Sequence, residues 1–210
     1  MSRDTRNRIL VASLLLFNEQ GEPNTTTNDI ADEVDISPGN LHYHFRKKAD
    51  LVEALLAEFQ ADARRVLAPP EEHPVSLDDF WVFLHLFLEF KAAYQFLLRD
   101  MESLLVEYPR VANAMRHFAR GLGATFELYL HALAESGVMT IDSDDMPLVS
   151  RNLVVIALFS QRFDALVDLP RSADDSALRI AAAVLNVLKP YVQASAAAEL
   201  RELATQYENS

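Results

Sequence analysis

One short segment, residues 37–45, combines small and polar side chains with two apolar anchors. Leu41 and Phe45 are four residues apart, so on a helix they share one face and hold it against a core. The opposite face then carries polar and aromatic side chains, which are Asn40, His42, Tyr43 and His44. A thin helix of this kind can enter the major groove of DNA, where such groups contact phosphates and base edges.

The same segment offers donors for phosphate oxygens. The Ser37 hydroxyl, the Gly39 amide and the Tyr43 hydroxyl are candidates, and Lys47 and Lys48 follow directly as cations. No carboxylate occurs in residues 37–49, so this face is locally basic. The types and order of these residues therefore indicate a nucleic-acid contact.

Helix signals surround this segment. Gly21 ends a first helix, Thr26 and Asp29 carry the start signal of a second, and Ser37 caps a third with Pro38 at its first position. Two short helices joined by a tight turn and braced by longer helices form a helix-turn-helix. The helices predicted for this front part cover residues 3–20, about 26–34, 38–45 and about 48–67.

The rest of the chain is also helical by pattern, after a proline-rich linker at residues 69–74. We predict an all-α fold with an N-terminal three-helix helix-turn-helix DNA-binding domain at residues 2–62. A larger helical domain follows at residues 75–207. Its predicted helices cover residues 76–90, 92–106, 109–135, 145–168 and 173–194, with a short tail at 196–207.

Charge and composition exclude several classes of protein. The 31 acidic and 19 basic residues give a net charge of −12, and there is no cysteine. Disulfides, zinc fingers, thiol catalysis and iron–sulfur clusters are therefore ruled out. Residues 2–56 have a net charge of −3. Tight DNA binding would then depend on specific contacts and on dimerisation, and it should weaken as salt rises.

No segment reads as a membrane anchor. The apolar run at residues 9–17 follows three arginines, but it is too short to cross a bilayer and no small-residue cleavage site follows it. An amphipathic helix ended by Gly21 explains it better than a signal peptide. We expect a cytoplasmic protein that does not contact membranes.

The front part resembles the DNA-binding domain of the TetR/AcrR family. The resemblance rests on residues 25–31 and 36–45, on Lys48 and Leu51, and on the places of Phe17 and Gly21. It implies that nine residues lie at or near DNA: Thr27, Ser37, Pro38, Gly39, Asn40, His42, Tyr43, His44 and Lys48. This chain has His42 where the family often has tyrosine, and Lys47 where a small residue is common, so the base contacts stay open.

An aromatic cluster marks the second domain. Residues 80–96 hold seven of the 19 aromatic side chains. A helix this apolar is buried on more than one side, either entirely in core or partly along a ligand cavity. The resemblance implies an effector cavity, for an apolar or aromatic molecule. The candidate ligand residues are Trp81, His85, Phe87, Phe118 and Phe159.

The last two long helices predict a homodimer. Residues 145–168 are apolar nearly all round, and residues 173–194 present small side chains that permit close approach. A monomer of this size would leave both partly uncovered, whereas an isologous four-helix bundle covers them. The resemblance implies the same pair of helices. Pro190 should end or kink the second one.

The sequence contains none of the usual catalytic or cofactor-binding motifs. The sequence has no Glu-x-x-His pair, no Gly-rich phosphate loop and no serine in a nucleophile-elbow context. A metal pair from His42 and His44 is disfavoured because residues two apart on a helix point in different directions. We expect Asp100 and Glu102 to be solvated. The predictions are no enzyme, no cofactor and no metal.

Taken together, these patterns predict a dimeric transcriptional repressor that leaves a palindromic operator in double-stranded DNA when a small effector binds. An activator, or a regulator without an effector, is an alternative. An all-helical small-molecule-binding protein, with the helix-turn-helix as scaffolding only, is an alternative of another class. Operator sequence and effector identity do not follow from the sequence.

Overall fold

A computed structural model describes residues 2–69, 74–169, 173–196 and 198 of the chain. Within these residues the regular structure is helical, with one isolated β-bridge between Met139 and Val192. The prediction of an all-α fold is therefore confirmed. The helices are α1 (Ser2–Gln20), α2 (Thr27–Glu33), α3 (Pro38–His44), α4 (Lys48–Val66), α5 (Leu77–Ala93), α6 (Gln95–Arg99), α7 (Met101–Glu107), α8 (Pro109–Glu135), α9 (Met146–Leu166) and α10 (Ala173–Leu188).

The helices group into two compact units that do not follow the chain in simple order. The first unit joins residues 1–64 with residues 93–118, and the second joins 65–92 with 119–210. The predicted boundaries, 2–62 and 75–207, stay a prediction. The structure adds that α6, α7 and the beginning of α8 cluster with the N-terminal helices.

The short helices of the first unit are fixed by their own caps. The Thr26 amide donates to the Asp29 carboxylate at 2.7 Å, and the Asp29 amide donates to the Thr26 hydroxyl at 3.2 Å. These bonds also hold the pKa of Asp29 below its usual value. The Asn40 amide donates to the Ser37 hydroxyl at 3.2 Å, with Pro38 at the first position of α3. The predicted starts of both helices are confirmed.

The turn between α2 and α3 depends on one residue with left-handed backbone. Asp35 has φ of 54°. Its amide donates to the Asp32 carbonyl at 3.1 Å, and the Ile36 amide donates to the Ala31 carbonyl at 3.0 Å. This is the Schellman pattern of a helix end, with aspartate at the position where glycine is usual. The turn fixes the direction in which α3 leaves α2.

The prediction of one helix at residues 92–106 is wrong, because α6 and α7 are separate helices that meet at Asp100. Asp100 has φ −95° and ψ 17°, outside helical values. Its carboxylate accepts from the Glu22 amide at 2.8 Å and from Arg99 Nε at 3.0 Å. The prediction that Asp100 is solvated is also wrong, since its side chain is 13% exposed.

The second unit has an aromatic core. Phe83 stacks on Tyr129 with ring centroids 4.7 Å apart and meets Phe126 edge-on at 5.7 Å. Phe80 lies 5.7 Å from Tyr129 on the same cluster. Burial raises the pKa of Tyr129, and the Asp79 carboxylate adds to that shift. The predicted burial of this stretch therefore comes from packing of α5 against α8.

The two C-terminal helices lie close to their predicted bounds. Helix α10 ends at Leu188, before Pro190, as predicted, although six residues earlier than the range assigned from the pattern. The predicted tail helix lies largely outside the described residues. Among the helices that the structure describes, none has the length and apolarity that a bilayer crossing requires.

Candidate nucleic-acid interface and ligand cavity

Helix α3 is held by its apolar side and open on its polar side. Leu41 is 0% and Phe45 3% exposed, whereas Tyr43 is 80% exposed. The His44 ring meets the Tyr43 ring edge-on, with ring centroids 5.2 Å apart. Of the nine predicted DNA residues, the exposed ones are Ser37, Pro38, Gly39, Asn40, His42 and Tyr43, and the half-buried ones are Thr27, His44 and Lys48.

His42 has one ring nitrogen engaged within the protein. Its Nδ1 lies 3.2 Å from the Arg46 carbonyl oxygen. The tautomer that donates there leaves Nε2 as an acceptor on the exposed side of α3. In its neutral form His42 therefore presents an acceptor to an approaching ligand, whereas a tyrosine at this position would present a hydroxyl on a longer side chain.

Two arginines of α1 support this surface, although no spacing in the sequence relates them to α3. The Arg6 guanidinium lies over the Phe45 ring, 4.8 Å from its centroid. The Arg8 guanidinium donates to the Val34 carbonyl at 2.8 Å, at the end of α2. Arg6 is exposed, so it adds positive charge beside the end of α3. Arg6 is a candidate interface residue that only the fold reveals.

The contacts of Lys48 are with the protein itself. Its ammonium donates to the backbone carbonyls of Glu22 at 2.9 Å and Thr25 at 3.2 Å, and it lies 3.0 Å from Glu22 Oε1. An ammonium has three donors, and these contacts use them. The contact of Lys48 with DNA stays a prediction. In this geometry Lys48 positions the turn before α2, and the exposed Lys47 next to it faces solvent.

Glu22 is the buried centre of this arrangement. Its side chain is 1% exposed, and its Oε1 accepts from the Tyr108 hydroxyl at 2.7 Å as well as meeting Lys48. The other oxygen, Oε2, has no hydrogen-bond partner among the described residues. Burial raises the pKa of Tyr108 well above its usual range, and the bond to Glu22 raises it further. Glu22 thus connects the turn after α1 to the start of α4 and to the junction of α7 and α8.

The five predicted ligand residues lie in different surroundings. Phe87 is 0% exposed, inside the second unit. The half-buried Trp81 meets the exposed His85 edge-on at 4.8 Å. Phe118 packs on Phe59 at 5.0 Å in the first unit. Phe159 is 38% exposed.

Phe159 lines a cavity between α9 and α10 with a volume of about 380 Å³, which lies in the range of small-molecule sites. One end is polar, because Arg179 Nε donates to Asp164 Oδ2 at 3.0 Å. The rest is largely apolar. The lining residues are Val155, Ile156, Phe159, Ser160, Phe163, Asp164, Arg179 and Ala183.

The charge of the Asp164 carboxylate at this polar end also acts on a buried lysine of α5, Lys91. Lys91 is 4% exposed, and its Nζ has no hydrogen-bond partner among the described residues. Burial lowers its pKa to about 8, and the charge of Asp164 opposes that shift. Lys91 was not among the predicted ligand residues. A lysine in the last turn of a helix is ordinarily solvated, so its sequence position gives no signal of burial.

Comparison with known proteins finds similarity along nearly the whole chain. A family described as bacterial transcriptional repressor, TetR, matches residues 58–200, and the bacterial regulatory protein family tetR matches residues 9–55. A TetR-family transcriptional regulator from Marinobacter aquaeolei has a crystal structure with 31% sequence identity and a TM-score of 0.87. That similarity covers 97% of this chain and 98% of the other.

The chain belongs to the TetR family of transcriptional regulators. The resemblance drawn from residues 17–51 is therefore confirmed, and with it the helix-turn-helix that α2 and α3 form.

Curated regulators described as HTH-type match this chain over parts of their length. The Pseudomonas putida regulator TtgW is 32% identical over 77 residues, which are 37% of this chain and 48% of that protein. The chain thus spans about half the length of this relative. The Staphylococcus aureus protein IcaR, a negative regulator of the biofilm operon icaADBC, is 22% identical over 172 residues, covering 76% of this chain and 88% of its own.

The contacts of Glu22 predict that substitutions of two neighbouring lysines have very different effects on the free energy of unfolding. Lys48→Met should lower the free energy of unfolding by about 3 kcal/mol, because it strands a buried carboxylate. Lys47→Met, at an exposed position, should change it by less than about 0.5 kcal/mol. Urea unfolding at pH 7 measures both. The double variant Glu22→Gln/Lys48→Met should recover part of the loss, and equal effects of the two single variants would contradict the assignment.

The burial of Lys91 predicts that removing its charge raises the free energy of unfolding, and that the size of this gain depends on pH. At pH 7 Lys91→Met should raise the free energy of unfolding by about 2 kcal/mol, since a buried, unpaired cation disappears. Because the folded pKa of Lys91 is about 8 and its ordinary value is 10.5, the wild type sheds this cost as pH rises through that window. The advantage should therefore shrink between pH 8 and 10.5. The charge of Asp164 raises the pKa of Lys91, and this residue is unchanged in the variant.

Urea unfolding of wild type and variant across this range measures the difference. Lys189→Met, an exposed position in the same unit, is the matched control and should show no such trend. An advantage of Lys91→Met that stays constant with pH would contradict the assignment of a lowered pKa.

Proposed function

We propose that this TetR-family chain is a homodimeric repressor whose two α3 helices enter successive major grooves of a palindromic DNA site. The observation that carries the proposal is the open face of α3, with Tyr43 80% exposed and the His42 acceptor beside it. Two-fold symmetric heads read half-sites about one helical turn apart. Ser37, Gly39 and Tyr43 then serve as phosphate donors, and His42 reads base edges.

The charge pattern supports an orientation for this contact. The chain has a net charge of −12, but residues 37–49 contain no carboxylate and include Arg46 and Lys47. A polyanion is repelled by most of the surface and attracted by this strip. The electrostatic part of the affinity rests on few cations, so sequence-specific contacts carry a large share of it.

An exposed apolar stripe on α9 supports dimerisation through α9 and α10. Successive members are separated by seven, four, four and three residues, so they share one helix face. Their exposure runs from 38% to 79%, and they are Leu148, Val155, Phe159, Phe163 and Leu166. A contiguous apolar face of this length on a soluble chain marks an interaction surface. A second copy related by two-fold symmetry covers it with the same residues.

Control by a small molecule follows from the same arrangement. The cavity between α9 and α10 shares Val155, Phe159 and Phe163 with the stripe. A molecule bound there contacts the surface that sets the dimer. It shifts the population away from the DNA-binding state only if it binds the two states with different affinity. The effector is thus proposed to act by releasing the operator.

The DNA proposal is tested by selection of bound duplexes from a random library at physiological salt. A palindrome should be enriched. On that site Tyr43→Ala should raise Kd by at least about tenfold, and Lys47→Met should lower the slope of log K against log salt by about one.

Lys189→Met, in the second unit, should leave both quantities unchanged. Selection of no sequence by the folded dimer, or wild-type affinity of Tyr43→Ala, would reject DNA reading by α3. Such an outcome would favour the helical binding protein whose helix-turn-helix is scaffolding.

The proposed dimer contact is tested by placing a charge in the apolar stripe on α9. Phe163→Glu should convert the dimer to a monomer in light scattering and should reduce operator affinity sharply, because two carboxylates would oppose each other at an apolar contact. Val82→Glu places the same charge on an apolar position of α5 that is 55% exposed, and it should remain dimeric. A dimeric Phe163→Glu would place the dimer contact elsewhere.

A further inference from the structure

Two arginines of α1 have different surroundings. The Arg8 guanidinium donates to the Val34 carbonyl at 2.8 Å, so it holds α1 against the end of α2. Arg6 is exposed, and among the described residues the contact of its guanidinium is with the Phe45 ring, 4.8 Å away. The nearest carboxylate along α1, on Asp4, is two positions away and points in another direction. The N–H donors of Arg6 are therefore available to a partner outside the chain.

The Phe45 ring determines where these donors lie. Phe45 is 3% exposed and directly follows α3, so its ring is a well-packed surface at the end of that helix. The N–H donors of a guanidinium lie in its own plane, so packing over an aromatic ring leaves them free to bond. An exposed contact of this kind contributes only modestly to stability. The main effect of the ring is therefore to orient Arg6 beside the open face of α3.

The distribution of charge favours an anionic partner at this place. Residues 37–49 contain no carboxylate, and Arg46 and Lys47 are exposed cations there. Arg6 adds a third cation from a different helix, because its ring partner Phe45 directly precedes Arg46. These cations lie near the end of α3 in a chain whose net charge is −12. An anion that approaches the chain is therefore attracted to this end of α3.

We propose that Arg6 contacts a backbone phosphate of DNA beside the major groove that α3 enters. This inference rests on the proposed function for the placement of α3. It adds a contact from a part of α1 that precedes residues 9–55, over which the chain matches the tetR regulatory family. The N–H groups of an arginine suit a phosphate, which accepts two parallel hydrogen bonds. A phosphate contact carries no base information, so it should strengthen binding to any duplex.

The salt dependence of DNA affinity tests this contact. The full-length protein is titrated from about 50 to 200 mM salt with the selected duplex and with a scrambled duplex of the same length. Arg6→Met removes the charge, while its thioether can still pack on the Phe45 ring. Its Kd should rise at least about fivefold on both duplexes at low salt. The slope of log K against log salt should fall by about one for each phosphate contact that is lost.

Two further variants separate charge from packing. Arg6→Lys keeps the charge, so it should keep the wild-type slope with a smaller loss of affinity. Arg64→Met removes the same charge from an exposed position near the end of α4, about 24 Å along that helix from Lys48. It should leave affinity and slope unchanged. Urea unfolding should give all three variants a midpoint close to that of the wild type, because the substituted positions are exposed.

Three results would overturn the contact with phosphate. The first is a wild-type slope for Arg6→Met. The second is a loss of affinity confined to the selected duplex, since that pattern indicates base reading. The third is a slope that falls as far in Arg6→Lys as in Arg6→Met.

The scrambled duplex separates this inference from the proposed function. A slope that depends on Arg6 in a protein that selects no sequence supports the phosphate contact and rejects base reading by α3. Selection of a palindrome, with a wild-type slope for Arg6→Met, rejects the phosphate contact and leaves the repressor standing. Wild-type protein that binds neither duplex would overturn both.

Discussion

The buried carboxylate of Glu22 is the constraint on which the first unit depends. A charge removed from water is tolerated only where opposite charge and hydrogen bonds surround it, and here Lys48 and Tyr108 supply them. Because Lys48 begins α4 and Tyr108 lies between α7 and α8, the turn after α1 cannot shift without leaving the buried carboxylate unpaired. Helix α2 begins directly after that turn, and the Asp35 turn fixes α3 to α2. The orientation of α3 is therefore set by polar contacts that tolerate little displacement, in addition to apolar packing.

Local signals in the sequence were sufficient for the helices that carry the candidate interface. The end of α1 at Gly21, the cap pair Thr26 and Asp29, and the cap at Ser37 each act over three or four residues, so a pattern can reveal them. The family resemblance added the placement of these helices as a helix-turn-helix. The bounds of α3 and the burial of its anchors followed from the same signals.

Contacts between residues that are far apart in the sequence could not be predicted from these local signals. The Glu22 amide meets the Asp100 carboxylate across 78 residues, and this contact accompanies the break between α6 and α7 that periodicity missed. Lys48 illustrates a different limit, because charge and position indicate a phosphate contact while the ammonium contacts carbonyls that folding brings near. Among the aromatic residues, type and spacing predict burial, but only the arrangement of α9 and α10 decides that Phe159 lines a cavity.

Two of the buried charged side chains among the described residues, Glu22 and Lys91, have opposite surroundings. Glu22 has an internal cation, an internal hydroxyl and a role in holding three elements together. Lys91 has a desolvated ammonium, a nearby carboxylate that Arg179 already occupies, and no bond that holds elements together among the described residues. A charge that stabilised the fold would carry its partner within the fold. Lys91 therefore lowers the stability of the fold at neutral pH, whereas Glu22 helps to hold the elements around it in position.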